Sequence, residues 1–155
     1  MSPRNRIAGF TLTELVVVIV IVTILSAFAI SRINTQSFDT EGFANRAAAT
    51  LRYAQKVAIS QRRTVAVTIA GNTLSLTYPD PPLNGAAVRE PPGTSAFSVS
   101  APSGVTLAGA NFSFSALGKP TAGTTTTLTI TGSDSPPTVK TVTIEAETGY
   151  VRYTP

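Results

Sequence analysis

Three regimes of hydrophobic patterning follow one another along the chain. From Phe10 to Ile30 nearly every position is apolar, and no charge occurs between Leu15 and Ser31. Beyond it, Phe43, Ala47, Leu51, Ala54 and Ala58 recur at spacings of four, four, three and four, which places them on one face of a helix. After Arg63 the period changes to two. Val65, Val67 and Ile69 alternate with small or polar residues, as do Leu74, Leu76 and Tyr78, and Gly71-Asn72 between them reads as a two-residue hairpin turn.

The first regime, Phe10 to Ile30, is 21 residues. As a helix it would be about 31 Å long, close to the ~30 Å hydrocarbon core of a bilayer. Its Val and Ile content would suit a buried strand, but the run far exceeds the 4–8 residues typical of one. The pattern predicts a single membrane helix over 10–30. Arg4 and Arg6 precede it and orient the N-terminus to the cytoplasm.

Glu14 is the exception in this run. An acidic group at the centre of a span costs about 2.5–3.5 kcal/mol, and less near its end. Two explanations stand. Glu14 sits at the interface and favours the helix dipole, or it needs a cationic partner within the membrane. Cutting the chain after Gly9 would create such a cation, an α-amino group on Phe10 one helical turn before Glu14. Met1–Gly9 has basic residues but no apolar stretch ahead of the cut, unlike a secretory signal.

The second regime predicts an amphipathic helix continuing over 31–63 and ending near Arg63. Gly42 weakens it by about 1 kcal/mol relative to Ala, so the helix either runs on through a softened turn or restarts with Asp39 as cap. Arg46, Arg52, Lys56 and Arg62 lie largely off the apolar face and form either a solvated surface or a phosphate-binding one. The third regime, 64–155, predicts about seven short strands. Besides the first two, these lie near Phe97 and Val99, at Val105–Leu107, around Phe112 and Phe114, at Thr124–Thr131, at Thr138–Ala146 and at Gly149–Tyr153. Gly- and Pro-rich turns between them point to an antiparallel sheet or small sandwich. Pro79–Ser95 reads as a long loop, for partner contact or merely mobile. The fold class is α+β, a long N-terminal helix packed on an antiparallel β domain.

Composition removes some chemistry. The 155 residues contain no Cys and no His, which excludes disulfides, Cys- or His-ligated metals and Cys/His nucleophile pairs. No cofactor is expected. Acidic residues that would serve acid–base catalysis (Asp80, Glu90, Asp134, Glu145, Glu147) lie mainly in loops or at strand ends. The net charge of +4 falls to +2 once Arg4 and Arg6 leave with residues 1–9.

The stretch "GFTLTELVVVIVIVTILSA" resembles the class III signal of type IV pilins and pseudopilins: Gly, then Phe, then a Glu four residues on, leading a long apolar helix. The resemblance implies cleavage between Gly9 and Phe10 by a prepilin peptidase, N-methylation of Phe10, and a role for Glu14 in filament assembly through the terminal amine of a neighbouring subunit. "FANRAAATLRYAQKVAISQRRTVAVTI", "NFSFSALGKPTAGTTTTLTI" and the closing "TGYVRY" are similar to the GspH/FimT pseudopilins. That implies a minor pseudopilin in the bacterial inner membrane, with a periplasmic β domain. Its partners would be other pilins or pseudopilins and the inner-membrane assembly platform. The missing Cys removes the C-terminal disulfide loop of many pilus subunits. Some FimT-type members bind DNA through basic residues near the C-terminus. The candidates here are Arg152, flanked by Tyr150 and Tyr153, with Lys140 and Lys119. The family's Gly-Arg-Val is Gly149-Tyr150-Val151 here and lacks the Arg.

Overall fold

The computed structural model describes residues 10–30, 36–91, 93 and 95–154, with 28–30 as backbone only. The chain divides into two compact units, residues up to 34 and residues from 35 on.

The first unit carries helix α1, Leu12–Ile30. It starts two residues later than the apolar run. Among the described residues no helix is long and apolar enough to cross a membrane. The described side chains of α1 stop at Ala27, which leaves fewer than the ~20 apolar residues a span needs. Every large apolar side chain among them is between 46 % and 80 % exposed.

In the second unit, α2 spans Gln36–Gln61 without interruption. No restart occurs at Asp39. A Cβ built on Gly42 meets nothing within 4 Å, so this glycine faces open space. Continuity there comes from the opposite face, where Thr40, Phe43, Ala44, Ala47, Leu51, Ala54 and Ala58 are buried. Most of these side chains are small, so the backbone of α2 lies close to the strands it covers. The helix stops at Gln61 through a Schellman motif. Arg62 takes a left-handed φ of 50°, and the N–H groups of Arg62 and Arg63 donate to the carbonyls of Ile59 and Ala58 at 3.2 and 3.1 Å.

Eight strands follow: β1 Val65–Ala70, β2 Thr73–Thr77, β3 Ser98–Ser100, β4 Val105–Ala108, β5 Phe112–Phe114, β6 Thr126–Gly132, β7 Val139–Ile144 and β8 Val151–Thr154. They form two four-stranded antiparallel sheets, β3-β2-β1-β5 and β4-β6-β7-β8. The β1–β2 turn is of the I′ kind, with Gly71 at φ 52° and Asn72 at φ 64°. Asn72 also joins the sheets, since its side-chain oxygen accepts the Leu107 N–H at 3.1 Å. α2 packs on both sheets. Val65, Val67, Leu74, Leu76 and Phe114 from the first and Leu128, Ile130, Val142, Ile144 and Val151 from the second share one core with its apolar face.

The expected mobile or partner-contact loop after β2 is more ordered than its prolines suggest. Val88 is 1 % exposed. Its N–H donates to the Leu76 carbonyl at 2.9 Å, and its carbonyl accepts from Phe97 N–H at 2.7 Å. Isolated bridges pair Thr77 with Ala87 and Arg89 with Ala96. One branched apolar side chain thus anchors the excursion in the core.

Candidate functional site

Two regions bear on function: the head of α1 and the C-terminal end of the β domain. At the head of α1, the Thr11 hydroxyl accepts the backbone N–H of Glu14 at 3.2 Å. Thr11 is therefore the N-cap, which fixes Leu12 as the first helical residue. Thr-x-x-Glu is the spacing of a capping box. Glu14 lies in the first turn, where the positive end of the helix dipole favours a carboxylate. It is exposed and has no ion-pair partner among the described residues. Phe10, also exposed, precedes the helix. Gly9, the other half of the expected cleavage site, lies outside the described residues, as does the junction between the two helices.

The three basic candidates near the C-terminus do not converge. Lys140 lies on the same face of β7 as the buried Val142 and Ile144, and its ammonium meets Glu41 of α2 at 2.7 Å. The Tyr153 hydroxyl donates to the other oxygen of that carboxylate. The hydrogen bond from Lys140, and after it the one from Tyr153, holds the Glu41 carboxyl below its usual pKa. Burial, reinforced by Glu41, pushes the Tyr153 phenol up to about 12. Lys119 pairs with Glu147 at 3.3 Å in the open. Arg152 stands opposite Thr143 in register and is exposed, on the sheet face away from Tyr153. One cation points inward, one is paired at a turn and one points outward. Sequence reasoning missed Glu41 as a partner, although the Lys140, Val142, Ile144 alternation carried the signal.

Gln55 of α2 ties two turns together. Its side-chain amide donates to the carbonyls of Gly118 and Thr148, both at 3.0 Å. Next to it Gly149 adopts φ 68°, and a Cβ there would lie 1.9 Å from the Gly118 oxygen. The closing Gly149-Tyr150-Val151 is thus a place where backbone meets backbone, and only glycine fits.

The acidic residues do not form a catalytic cluster. The Asp134 carboxylate accepts the N–H and hydroxyl of Thr138, which hold its pKa below the usual value. Glu145 accepts the Thr148 hydroxyl at 3.2 Å. Among the described residues no group of three or more Asp or Glu is placed to hold a metal. A cleft of about 780 Å³ lies between α2 and the excursion after β2, with Tyr53, Tyr78, Leu83 and Arg89 in its walls. The Tyr53 ring stacks on Phe97 with centroids 5.0 Å apart, and its hydroxyl donates to the Arg89 carbonyl at 2.9 Å.

Solved structures of minor pilins and pseudopilins share this architecture. The type IV minor pilin FimU of Pseudomonas aeruginosa superposes with a TM-score of 0.60 at 19 % identity, covering 78 % of this chain and 92 % of FimU. The minor pseudopilin EpsH from the type 2 secretion system of Vibrio cholerae gives 0.55 at 16 % identity, covering 78 % of this chain and 97 % of EpsH. At such identities the likeness establishes the fold. No curated protein sequence matches the chain. The family model for the prokaryotic N-terminal methylation motif matches residues 4–30. That for the type II transport protein GspH matches residues 44–149, more than half of the chain, and the chain therefore belongs to the GspH family.

Proposed function

We propose that the protein is a minor pseudopilin, a membrane-anchored structural subunit that starts or joins a periplasmic pseudopilus or pilus. Its family has a general role in secretion or pilus assembly. The observation that carries the reading is the combination of a methylation-motif helix, apolar on all sides, with a GspH-type β domain. In this reading residues 1–9 are removed by prepilin peptidase, Phe10 becomes the methylated N-terminus, and the first helix anchors the chain in the inner membrane. The exposed Glu14, which has no ion-pair partner among the described residues, accepts the terminal amine of a neighbouring subunit, so its charge is neutralised upon docking. The protein is not an enzyme.

The test is Glu14→Ala in the native host. The variant should reach the membrane and fold, yet co-purify with filament subunits at a tenth of the wild-type level or less. Undiminished incorporation would refute the docking role. The Gly9→Ala chain should keep its leader, seen as a retarded gel band.

DNA binding for uptake draws less support. Lys140 and Lys119 are each committed to a carboxylate, which leaves Arg152 as the one of the three without a carboxylate partner among the described residues, and each phosphate contact needs a cation.

A further inference from the structure

The edge of a sheet presents backbone groups that no strand satisfies, and this fold covers most of its edges. The edge strands are β3 and β5 of one sheet and β4 and β8 of the other. At β4 the Asn72 side chain takes the Leu107 N–H. At β5 the returning chain covers the edge, and Thr121 N–H donates to the Ser113 carbonyl at 2.8 Å. At β8 the Arg52 guanidinium donates to the Val151 carbonyl at 3.2 Å. β3 differs. Val99 stands opposite Leu74 of β2. The Leu76 N–H donates to the Phe97 carbonyl and the Ala101 N–H to the Asn72 carbonyl, so residues 97, 99 and 101 turn their backbone groups toward β2. Those of Ser98 and Ser100 then point away from the sheet. Both residues are exposed, and their outward N–H and C=O groups have no hydrogen-bond partner among the described residues.

Two depressions lie one after the other between this edge and α2. The first, about 380 Å³, is lined by Ala49, Thr50 and Tyr53 of α2 and by Pro91, Phe97 and Val99. The second, about 300 Å³, is lined by Phe38, Gly42 and Phe43 of α2 and by Ser100 and Pro102. Arg46 lines both, Glu90 the first and Asp39 the second. Charges of both signs are mixed there, so net charge selects no partner.

We propose that a neighbouring filament subunit, a chain other than this one, lays an extended segment along β3 as a fifth strand of that sheet. The proposal rests on the filament-subunit reading and names a contact for it. The free backbone groups specify the occupant, since donors and acceptors set along a strand edge are matched by another strand. Alternate side chains of such a strand share one face at a repeat of about 6.6 Å and enter the depressions, while its backbone bonds to Ser98 and Ser100. The lining is largely aromatic and aliphatic, so those alternate residues are apolar. A second copy of this chain does not fit. The inward side chain of β3, Val99, is 7 % exposed in its own core, and pairing two β3 strands would leave the depressions empty. So short a ladder is weak between free molecules, and it forms where the partner is already held close, as a neighbour in one filament is.

The peptide acetyl-Thr-Val-Thr-Val-Thr-amide probes the edge, with amide exchange of the detergent-solubilised full chain followed by NMR. At millimolar peptide, exchange at Ser98 and Ser100 should slow at least about threefold, and Asp in place of both Val should remove the effect. Ser100→Pro deletes an outward donor without costing a sheet bond, and Ala49→Phe fills the first depression. Each variant should lose the protection and keep the wild-type denaturant midpoint. Unchanged exchange in the wild type, or protection that follows chain concentration without peptide, overturns the proposal. The source of the segment is tested in the native host. The chain has no Cys, so Ser98→Cys supplies a unique thiol for a photoactivated crosslinker. Mass spectrometry should find it joined to another filament subunit, with the adduct lost when Ala49→Phe is added. Adducts only to copies of this chain, or only to proteins outside the filament, overturn the proposal. If no adduct forms while the chain still co-purifies with filament subunits, the docking site is wrong and the filament reading stands. If it co-purifies with none, both fall.

Discussion

In α1 every large apolar side chain whose placement is described keeps 46–80 % of its surface open. In α2, Phe43, Leu51 and a series of alanines are buried. Both are long helices, and they meet the hydrophobic effect in opposite ways. α2 has one apolar face and satisfies it against strands of its own unit. α1 has apolar residues on every side, and a single sheet would cover only one of them. In the proposed reading the apolar surface of α1 is covered by lipid or by the helices of other subunits. The carboxylate at its head fits that division. Within the second unit charges such as Glu41 and Lys140 find each other, whereas Glu14 is capped at its backbone but has no cation among the described residues.

Truncating one side chain in each region puts the contrast to its largest test. Phe114 is fully buried and makes an edge-on contact with Phe112, centroids 5.2 Å apart. Phe114→Ala should destabilise the β domain by about 3–5 kcal/mol, read by denaturant melts of the detergent-solubilised chain. Val18→Ala in α1 should leave the same melt unchanged, and a matching loss there would break the comparison. Gly149→Ala comes next. Left-handed strain and the clash with Gly118 together should cost on the order of 3 kcal/mol, with the midpoint shift as the measure. Gly42→Ala should act in the other direction. The site is helical and open, so alanine should raise stability by about 1 kcal/mol. If the gain is absent, the helix is not continuous there in solution.

The smallest effect is pH-dependent and concerns the clasp between α2 and the second sheet. The folded pKa of Glu41 lies below the ordinary carboxyl value of 4.5. Its stabilising contribution is therefore full above that value and is lost as pH falls through the lowered one. Tyr153 shifts the other way, from 10.0 to about 12, so its contribution is full below pH 10 and disappears as pH rises toward 12. Melts of the wild type should soften at both extremes, and Glu41→Gln should flatten the acid limb. An unchanged acid limb would show that the clasp contributes nothing.

Much of the fold was legible wherever one period persisted. The spacing of Phe43, Ala47, Leu51, Ala54 and Ala58 gave the buried face of α2, and the alternations around Val67, Leu76 and Ile130 gave β1, β2 and β6 to within two residues at their ends. Gly71-Asn72 gave the first hairpin. What escaped was set by contacts between distant segments. Val88 sits among prolines and glycine, so no periodicity announced it as a core residue. The pairing of Lys140 with Glu41 joins positions far apart in sequence, and the residue type alone suggested a solvent-facing cation. The incompatibility of a Cβ at Gly149 with the Gly118 carbonyl depends on two turns crossing, which no local pattern encodes. At the candidate site, Glu14 stood out from its surroundings, while the cap that starts its helix at Leu12 was hidden in a Thr that looked like part of the apolar run.

The excursion after β2 has a consequence for how such a domain diversifies. Between Tyr78 and Val88 its ends are pinned by backbone hydrogen bonds to Ala86 and Leu76, while Asp80 through Gly85 stay on the surface. Closing a longer loop between fixed ends costs only about 0.6 kcal/mol per doubling of length. Residues can therefore be gained or lost there over evolutionary time with Val88 still seated in the core. The segment can change in length and sequence while the rest of the molecule keeps its packing.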